Sequence, residues 1–309
     1  MKFFTAHRKA AVCFLALFAA AAVSGAGNAP VCAAGPDFQA TRPTPVVQPF
    51  TVYLSPSAQP WNPYCDGSGS EESHMRPVAE AVSRSLEPYG IRSVIGAPHT
   101  GARSRQRSEI EARVKQARAA GCNLYLAIHS NAKDGGPKTA GTTIFYPSGS
   151  APSLRFADIL KKDFIYPDKN AIGTATKDEL WEMYMPPMPH CLIEVAYHDN
   201  PQDVRWIESH TEEIGRSLAR GIAEYAYIPV QARMDRDSLC IRQGELQDLT
   251  AQVTLIDGEV LGNAARWTSS NSSVAAVKNG TIFGAGKGTA EITAWTGNGI
   301  FTACRVTVL

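Results

Sequence analysis

The chain has 309 residues, of which 44% are hydrophobic, and its 30 Lys and Arg against 29 Asp and Glu give a formal charge of +1. This length is enough for two domains, and the near-neutral charge argues against a partner bound through bulk positive charge, such as nucleic acid. Beyond the N-terminal apolar run, no stretch is long and apolar enough to anchor the chain stably in a membrane.

The first residues have the pattern of an export signal. A positively charged start is followed by an apolar run at 10–23, which is too short to span a bilayer, and then by small residues. We predict a signal peptide over 1–34 and a Pro-rich linker over 35–49. The mature protein is therefore expected outside the cytoplasm, secreted or in the cell wall.

From residue 50 onward, short apolar runs alternate with segments of helical periodicity. This alternation predicts an α/β fold with a mostly parallel sheet flanked by helices, over residues 50–228. Pro77 is expected to delay or kink the first helix. The predicted strands are 50–54, 91–95, 123–128, 142–147 and 191–197, and the predicted helices begin near Met75, Ser108, Ser153 and residue 203.

The pattern changes after about residue 229, because helical periodicity disappears. Short alternating runs separated by Gly and Asn predict a small all-β sandwich over 238–309, with a hairpin turn at Asn279–Gly280. The strands expected there are 249–256, 264–270, 290–296 and 302–309.

Glu194 is the most unusual residue of the α/β region, because it lies inside the apolar strand 191–197. A carboxylate taken out of water without a partner costs several kcal/mol. Either a positive group faces Glu194, or its pKa is raised and it acts as an acid or base. His198 follows four residues later, at the same phase of an extended strand.

Two further groups lie where the predicted elements begin or end. His129 comes directly after the strand 123–128, and Glu72 is three residues before Met75, which places it on the inward side of the first helix. Alone, His129 could be satisfied by a backbone carbonyl and Glu72 by the helix dipole. Together with Glu194 and His198 they have the composition of a catalytic Zn²⁺ site, which is two histidines and a glutamate as ligands and a further glutamate as general base.

The segments around these residues resemble a known family. Residues 124–132, "LYLAIHSNA", and 188–207, "MPHCLIEVAYHDNPQDVRWI", are similar to the zinc-dependent N-acetylmuramoyl-L-alanine amidases of bacterial cell walls. The resemblance covers about 50–228. It implies peptidoglycan as the partner, Glu72 and His129 as zinc ligands, and Glu194 as the catalytic carboxylate.

One motif departs from the commoner family pattern. That pattern has Gly-His-Gly-Gly after the first strand, whose histidine is a metal ligand, whereas this chain reads Ser-Pro-Ser-x-Gln, with Gln59 nearest to that place. We expect His198 to be the third ligand, although a straight strand would put it about 13 Å from Glu194. The alternatives are Gln59, or a catalytically inactive wall-binding protein.

Residues 238–309 are similar to bacterial immunoglobulin-like domains of the invasin type, on the pattern around Trp267 and Gly280. Such modules are stalks or surface-binding units, so a cell-surface polymer is a candidate partner. Cys240 and Cys304 fall in the first and last strands of this domain, and a disulfide between them is a hypothesis.

Overall fold

The computed structural model describes residues 49–133, 139–262 and 264–309. The predicted signal peptide and all but the last residue of the predicted linker lie outside the described residues. Within the described ranges, no helix is both long and apolar enough to cross a bilayer.

The α/β region is built on a six-stranded sheet in the order β2-β1-β3-β6-β4-β5. Every neighbouring pair is parallel except β4 with β6, so the prediction of a mostly parallel sheet is confirmed. The strands are β1 (Thr51–Pro56), β2 (Arg92–Ile95), β3 (Leu124–Asn131), β4 (Thr142–Tyr146), β5 (Ile172–Thr176) and β6 (His190–Tyr197).

Helices cover both faces of this sheet. One face packs against α1, α3, α5 and α6, and the other against α2 and the one-turn helix α4. The helix predicted to begin near residue 203, and expected to run to about 226, is two helices separated at His210. The helices are α1 (Glu71–Leu86), α2 (Gln106–Ala119), α3 (Ala151–Asp163), α4 (Trp181–Tyr184), α5 (Pro201–Ser209) and α6 (Thr211–Tyr225).

The start of α1 differs from the expectation based on Pro77. Ser70 caps the helix by accepting a hydrogen bond from Ser73 N, and the hydroxyl of Ser73 accepts one from Ser70 N in return. This reciprocal cap begins the helix at Glu71, with Pro77 inside it. Glu71 and Glu72 therefore both lie in the buried first turn.

The backbones of α1 and α6 approach closely at Gly215. A Cβ atom on this residue would lie 2.4 Å from Ala81 Cβ and 2.7 Å from Ala81 C, so only glycine fits. This contact fixes α1, and the acidic first turn it carries, against the rest of the helical layer.

The C-terminal region is all-β, as predicted. It contains sheets ordered β11-β10-β7, β12-β15-β16-β8 and β13-β14-β9. The strand β7, which falls between the two predicted domains, pairs with β10 and so joins this region. The strands are β7 (Pro229–Met234), β8 (Ser238–Ile241), β9 (Leu246–Asp248), β10 (Ala251–Leu255), β11 (Val260–Gly262), β12 (Arg266–Ser269), β13 (Ala275–Lys278), β14 (Thr281–Gly284), β15 (Gly288–Trp295) and β16 (Phe301–Val308).

The hairpin predicted in this region is confirmed, because Lys278 pairs with Thr281, and Asn279 and Gly280 have φ of 51° and 91°.

The disulfide hypothesis is wrong. Cys240 lies opposite Thr307 and is exposed, whereas Cys304 faces the core, and both thiols are free.

Candidate functional site

The candidate site lies at the carboxyl ends of two adjacent parallel strands, where sites form in α/β sheets. His129 on β3 is the direct register partner of Glu194 on β6. The register shifts between His129 and Asn131, and the two strands stay paired beyond this irregularity, with Asn131 opposite Tyr197. The sheet thus brings together two of the predicted residues that are far apart in sequence.

His129 is held between two carboxylates. Its Nδ1 lies 2.8 Å from Glu71 Oε1, and its Nε2 lies 3.0 Å from Glu182 Oε2. Burial alone lowers the pKa of an imidazole, but these two carboxylates raise the pKa of His129 well above its usual value. Burial raises the pKa of a carboxyl, yet His129 outweighs it, lowering the pKa of Glu182 to about 2 and also lowering that of Glu71.

Two amide side chains surround the Nδ1 side of His129. Asn62 Nδ2 donates to Glu71 Oε2 at 2.8 Å and to Gln59 Oε1 at 3.0 Å. Gln59 Nε2 lies 3.5 Å from His129 Nδ1, and Ser130 N donates to Glu71 Oε1 at 3.3 Å. Gln59 therefore lies beside the imidazole, although this chain has no histidine at the place of the family's first ligand.

Glu72 is not part of this cluster. Its Oε1 accepts a hydrogen bond of 2.6 Å from His99 N, in the loop that follows β2. Glu71 and Glu72 are four and three residues before Met75, and both spacings lead to the inward side of a helix. Helical periodicity alone therefore does not distinguish them, and the structure places Glu71 beside His129.

His198 also lies apart from the His129 nitrogens. Its Nδ1 lies 2.9 Å from Ser130 O and 3.0 Å from Ser130 Oγ, and its ring stacks on Tyr64 with centroids 5.4 Å apart. Because β6 ends at Tyr197, the strand alternation that was expected to align His198 with the site does not extend to it. His198 therefore contacts Ser130 and Tyr64 and not the ring nitrogens of His129.

Glu194 is the unpaired acid of the site. Its side chain is half-buried, and its Oε2 is shielded from solvent without a hydrogen-bond partner among the residues that the structure describes. Burial raises the pKa of Glu194 to about 7, although His129 opposes this increase. A carboxyl group with such a pKa can take up and release a proton near neutral pH.

A metal would find few donors here. Within the described ranges, no group of three or more His, Cys, Asp and Glu side chains is arranged to hold a metal ion. The donors that face each other are the Glu71 carboxylate and His129 Nδ1, with the amide of Gln59 next to them. Imidazole and carboxylate are zinc ligands, whereas an amide oxygen suits harder cations better.

Two acidic residues of this cluster were not selected from the sequence: Glu71 was passed over for its neighbour Glu72, and Glu182 was missed. Glu71 precedes the predicted ligand Glu72, and only the cap at Ser70 could have indicated that the helix begins early enough to include both. Glu182 gave no signal, because it lies on a single helical turn between segments without clear periodicity, close to the similar but exposed Glu179.

Two regions of the chain match known protein families. The model for N-acetylmuramoyl-L-alanine amidase matches residues 64–224, and the model for the bacterial Ig-like domain (group 2) matches residues 231–307. No curated protein matches the chain.

Several solved structures are similar to the first region. The CwlD amidase of Clostridioides difficile, solved with the GerS lipoprotein, is 18% identical with a TM-score of 0.50, covering 57% of this chain and 98% of that one. AmiC2 of Nostoc punctiforme is 20% identical with a TM-score of 0.49, covering 57% and 96%. The catalytic domain of CwlV from Bacillus (Paenibacillus) polymyxa var. colistinus is 20% identical with a TM-score of 0.48, covering 58% and 99%. At these sequence identities the similarity indicates a shared fold and nothing about activity.

Proposed function

The chain belongs to the N-acetylmuramoyl-L-alanine amidase family and carries a bacterial Ig-like domain C-terminal to the amidase region. We propose that it cleaves the amide between N-acetylmuramic acid and the L-alanine of the peptidoglycan stem peptide. Family membership supports a peptidoglycan amidase. The observation that carries the finer proposal is the shielded, unpaired carboxylate oxygen of Glu194, one strand away from His129.

The proposed cofactor is a zinc ion held by Glu71, His129 and the amide oxygen of Gln59. That oxygen accepts from Asn62, and the Nε2 atom of the amide faces His129, so the side-chain amide would have to rotate to present its oxygen to the metal. The hydrogen bond of 2.8 Å between Glu71 Oε1 and His129 Nδ1 supports the first two ligands, because it shows that these donors face each other. Two zinc bonds at a tetrahedral angle place donor atoms about 3.4 Å apart, so the pair would open slightly on binding the metal.

The unpaired Glu194 oxygen supports the proposed zinc as well, since it leaves an acceptor for a water beside the metal. The geometry thus favours Glu71 over Glu72 and Gln59 over His198. An amide in place of an imidazole implies weaker binding of zinc.

The proposed reaction uses Glu194 twice. Glu194 accepts a proton from water, the resulting hydroxyl group adds to the lactyl carbonyl carbon, and the carbon–nitrogen bond breaks as Glu194 returns the proton to the nitrogen of L-alanine. Zinc, when bound, would acidify the water and polarise the carbonyl. A carboxyl group whose pKa is about 7 suits both proton transfers.

A second candidate function is that of a catalytically inactive wall-binding protein with an amidase fold. The observation in its favour is the amide of Gln59 at the place where the commoner family pattern has a histidine. Without bound zinc, the pair of Glu71 and His129 would serve only to stabilise the fold.

Digestion of purified peptidoglycan distinguishes the two functions. We expect the zinc-loaded protein to release stem peptides with a new N-terminal alanine and to leave the glycan strands intact, as shown by mass analysis. Binding to walls without any product, by a protein that contains zinc, would contradict the enzymatic proposal. Peptides cut within the stem would instead indicate another peptide hydrolase.

The third ligand is tested by zinc content per chain. Gln59→Ala is expected to lower zinc affinity, because it removes the amide 3.5 Å from His129 Nδ1. His198→Ala is expected to retain zinc, since its ring contacts Ser130 and Tyr64 instead. Thermal unfolding of both variants controls for misfolding. Loss of zinc from the His198 variant together with its retention in the Gln59 variant would restore His198 as the ligand.

The location and the domain division are proposals too. We propose that residues 1–34 direct export to the cell wall, that residues 50–228 carry the activity, and that the all-β region, predicted over 238–309 and extended by β7 to Pro229, contacts a surface polymer. The pairing of β7 with β10 supports a boundary before Pro229. A truncated chain that ends at Ile228 is the variant to compare with the full chain for activity on soluble fragments and for binding to whole walls.

A further inference from the structure

A buried network lies behind His129, on the side away from Glu71. Glu182 is buried, and its Oε2 lies 3.0 Å from His129 Nε2. The two residues are 53 positions apart in sequence. The family motifs contain His129 and Glu194 but give Glu182 no role, and the proposed reaction does not use it.

The carboxylate of Glu182 is itself held in place. Its Oε1 accepts hydrogen bonds of 2.6 Å from Ser55 Oγ and from Tyr125 OH. Arg113 Nη1 in turn donates to Ser55 Oγ at 2.9 Å and to Pro56 O at 2.6 Å. A carboxylate with both oxygens engaged in buried contacts has little freedom to rotate.

The backbone that carries Glu182 is also fixed. The short helix α4 would be marginal alone, but the two ring nitrogens of buried His190 lie 3.0 Å from Met183 O and 2.7 Å from Met188 O. His190 is the first residue of β6, the strand that carries Glu194. Glu182 is therefore tied to the same sheet as His129 and Glu194.

We propose that Glu182 is a positioning residue that accepts the Nε2–H of His129 and so holds the imidazole with Nδ1 facing Glu71 and Gln59. This inference rests on the proposed metal site at His129. Histidines that bind a metal through one ring nitrogen almost always donate the other N–H to an acceptor such as a carboxylate, and loss of such a partner typically costs 10–100-fold in metal affinity.

The test compares Glu182→Gln with Glu224→Gln in the full-length protein. Glu224 is also a buried glutamate with a basic partner, Lys162, but it lies on α6. Two measurements are made: zinc affinity by competition with a chromophoric chelator, and the His129 Nε2–H signal in ¹⁵N-resolved NMR spectra of the metal-free protein. We expect Glu182→Gln to lower zinc affinity 10–100-fold and to shift or lose that signal. Glu224→Gln is expected to change neither.

The outcomes separate this inference from the proposed function. An unchanged His129 signal and unchanged zinc affinity in Glu182→Gln would overturn the positioning role. A wild-type protein that binds no zinc, but whose His129 signal depends on Glu182, would uphold the positioning role and contradict the zinc proposal. If Glu182→Gln does not fold, Tyr125→Phe removes one donor to the carboxylate, and a smaller change of the same two measurements is expected.

Discussion

Replacement of Glu194 by glutamine is expected to lower the rate of amide hydrolysis by about 10²–10⁴-fold, the usual contribution of a general base. Glutamine keeps the shape of the side chain but accepts no proton. Among the described residues the side chain of Glu194 forms no hydrogen bond with Glu71 or His129 and is not one of the proposed ligands, so zinc content is expected to stay unchanged. Initial rates on soluble peptidoglycan fragments measure the effect, with exposed Glu179→Gln as the control.

In the metal-free protein, the same variant is also expected to change how the stability of the fold depends on pH. Burial raises the pKa of Glu194 from 4.5 to about 7, so the charged form is disfavoured in the folded state. Wild type should therefore lose stability relative to Glu194→Gln as the pH rises from about 4.5 to 7, and the variant should unfold at a higher temperature at pH 8 but not at pH 4. Full activity, or no pH-dependent difference in unfolding, would remove Glu194 from this role.

Replacement of Glu71 by glutamine is expected to lower zinc affinity by more than about 100-fold, because even partners outside the ligand set cost 10–100-fold. Glu71 faces His129 Nδ1 directly, at 2.8 Å. Glu72→Gln is the matched control one residue away, and its amide oxygen can still accept the hydrogen bond from His99 N. Zinc per chain and competition with a chelator measure both variants.

The zinc content of the Glu71 and Glu72 variants distinguishes the ligand implied by the family resemblance from the ligand favoured by the structure. Loss of zinc only from the Glu71 variant would support the ligand that the structure places in the site. Loss only from the Glu72 variant would restore the ligand that the family resemblance implies. If both variants keep zinc, neither carboxylate binds the metal, and the proposed ligand set is wrong.

Patterns along the chain were enough to predict much of the architecture. The strand–helix alternation, the all-β C-terminal region and the Asn279–Gly280 hairpin were all predicted, because apolar period and turn chemistry are properties of neighbours in sequence. Helix limits were less accurate. Pro77 suggested a late start for α1, whereas the reciprocal cap of Ser70 and Ser73 begins it at Glu71.

For the site, the sequence by itself singled out Glu194 and His129, because a carboxylate inside an apolar strand and a histidine at a strand end are visible as local exceptions. Only the tertiary structure decided which neighbouring glutamate faces His129, where the ring of His198 lies, and that Glu182 contacts His129 across 53 positions. The first depends on how the cap and the docking of α1 orient its first turn. The second depends on a strand that ends at Tyr197, and the third on packing of a one-turn helix whose position no local period specifies. Direction and distance between separated segments are set by packing, and therefore no pattern within one segment contains them.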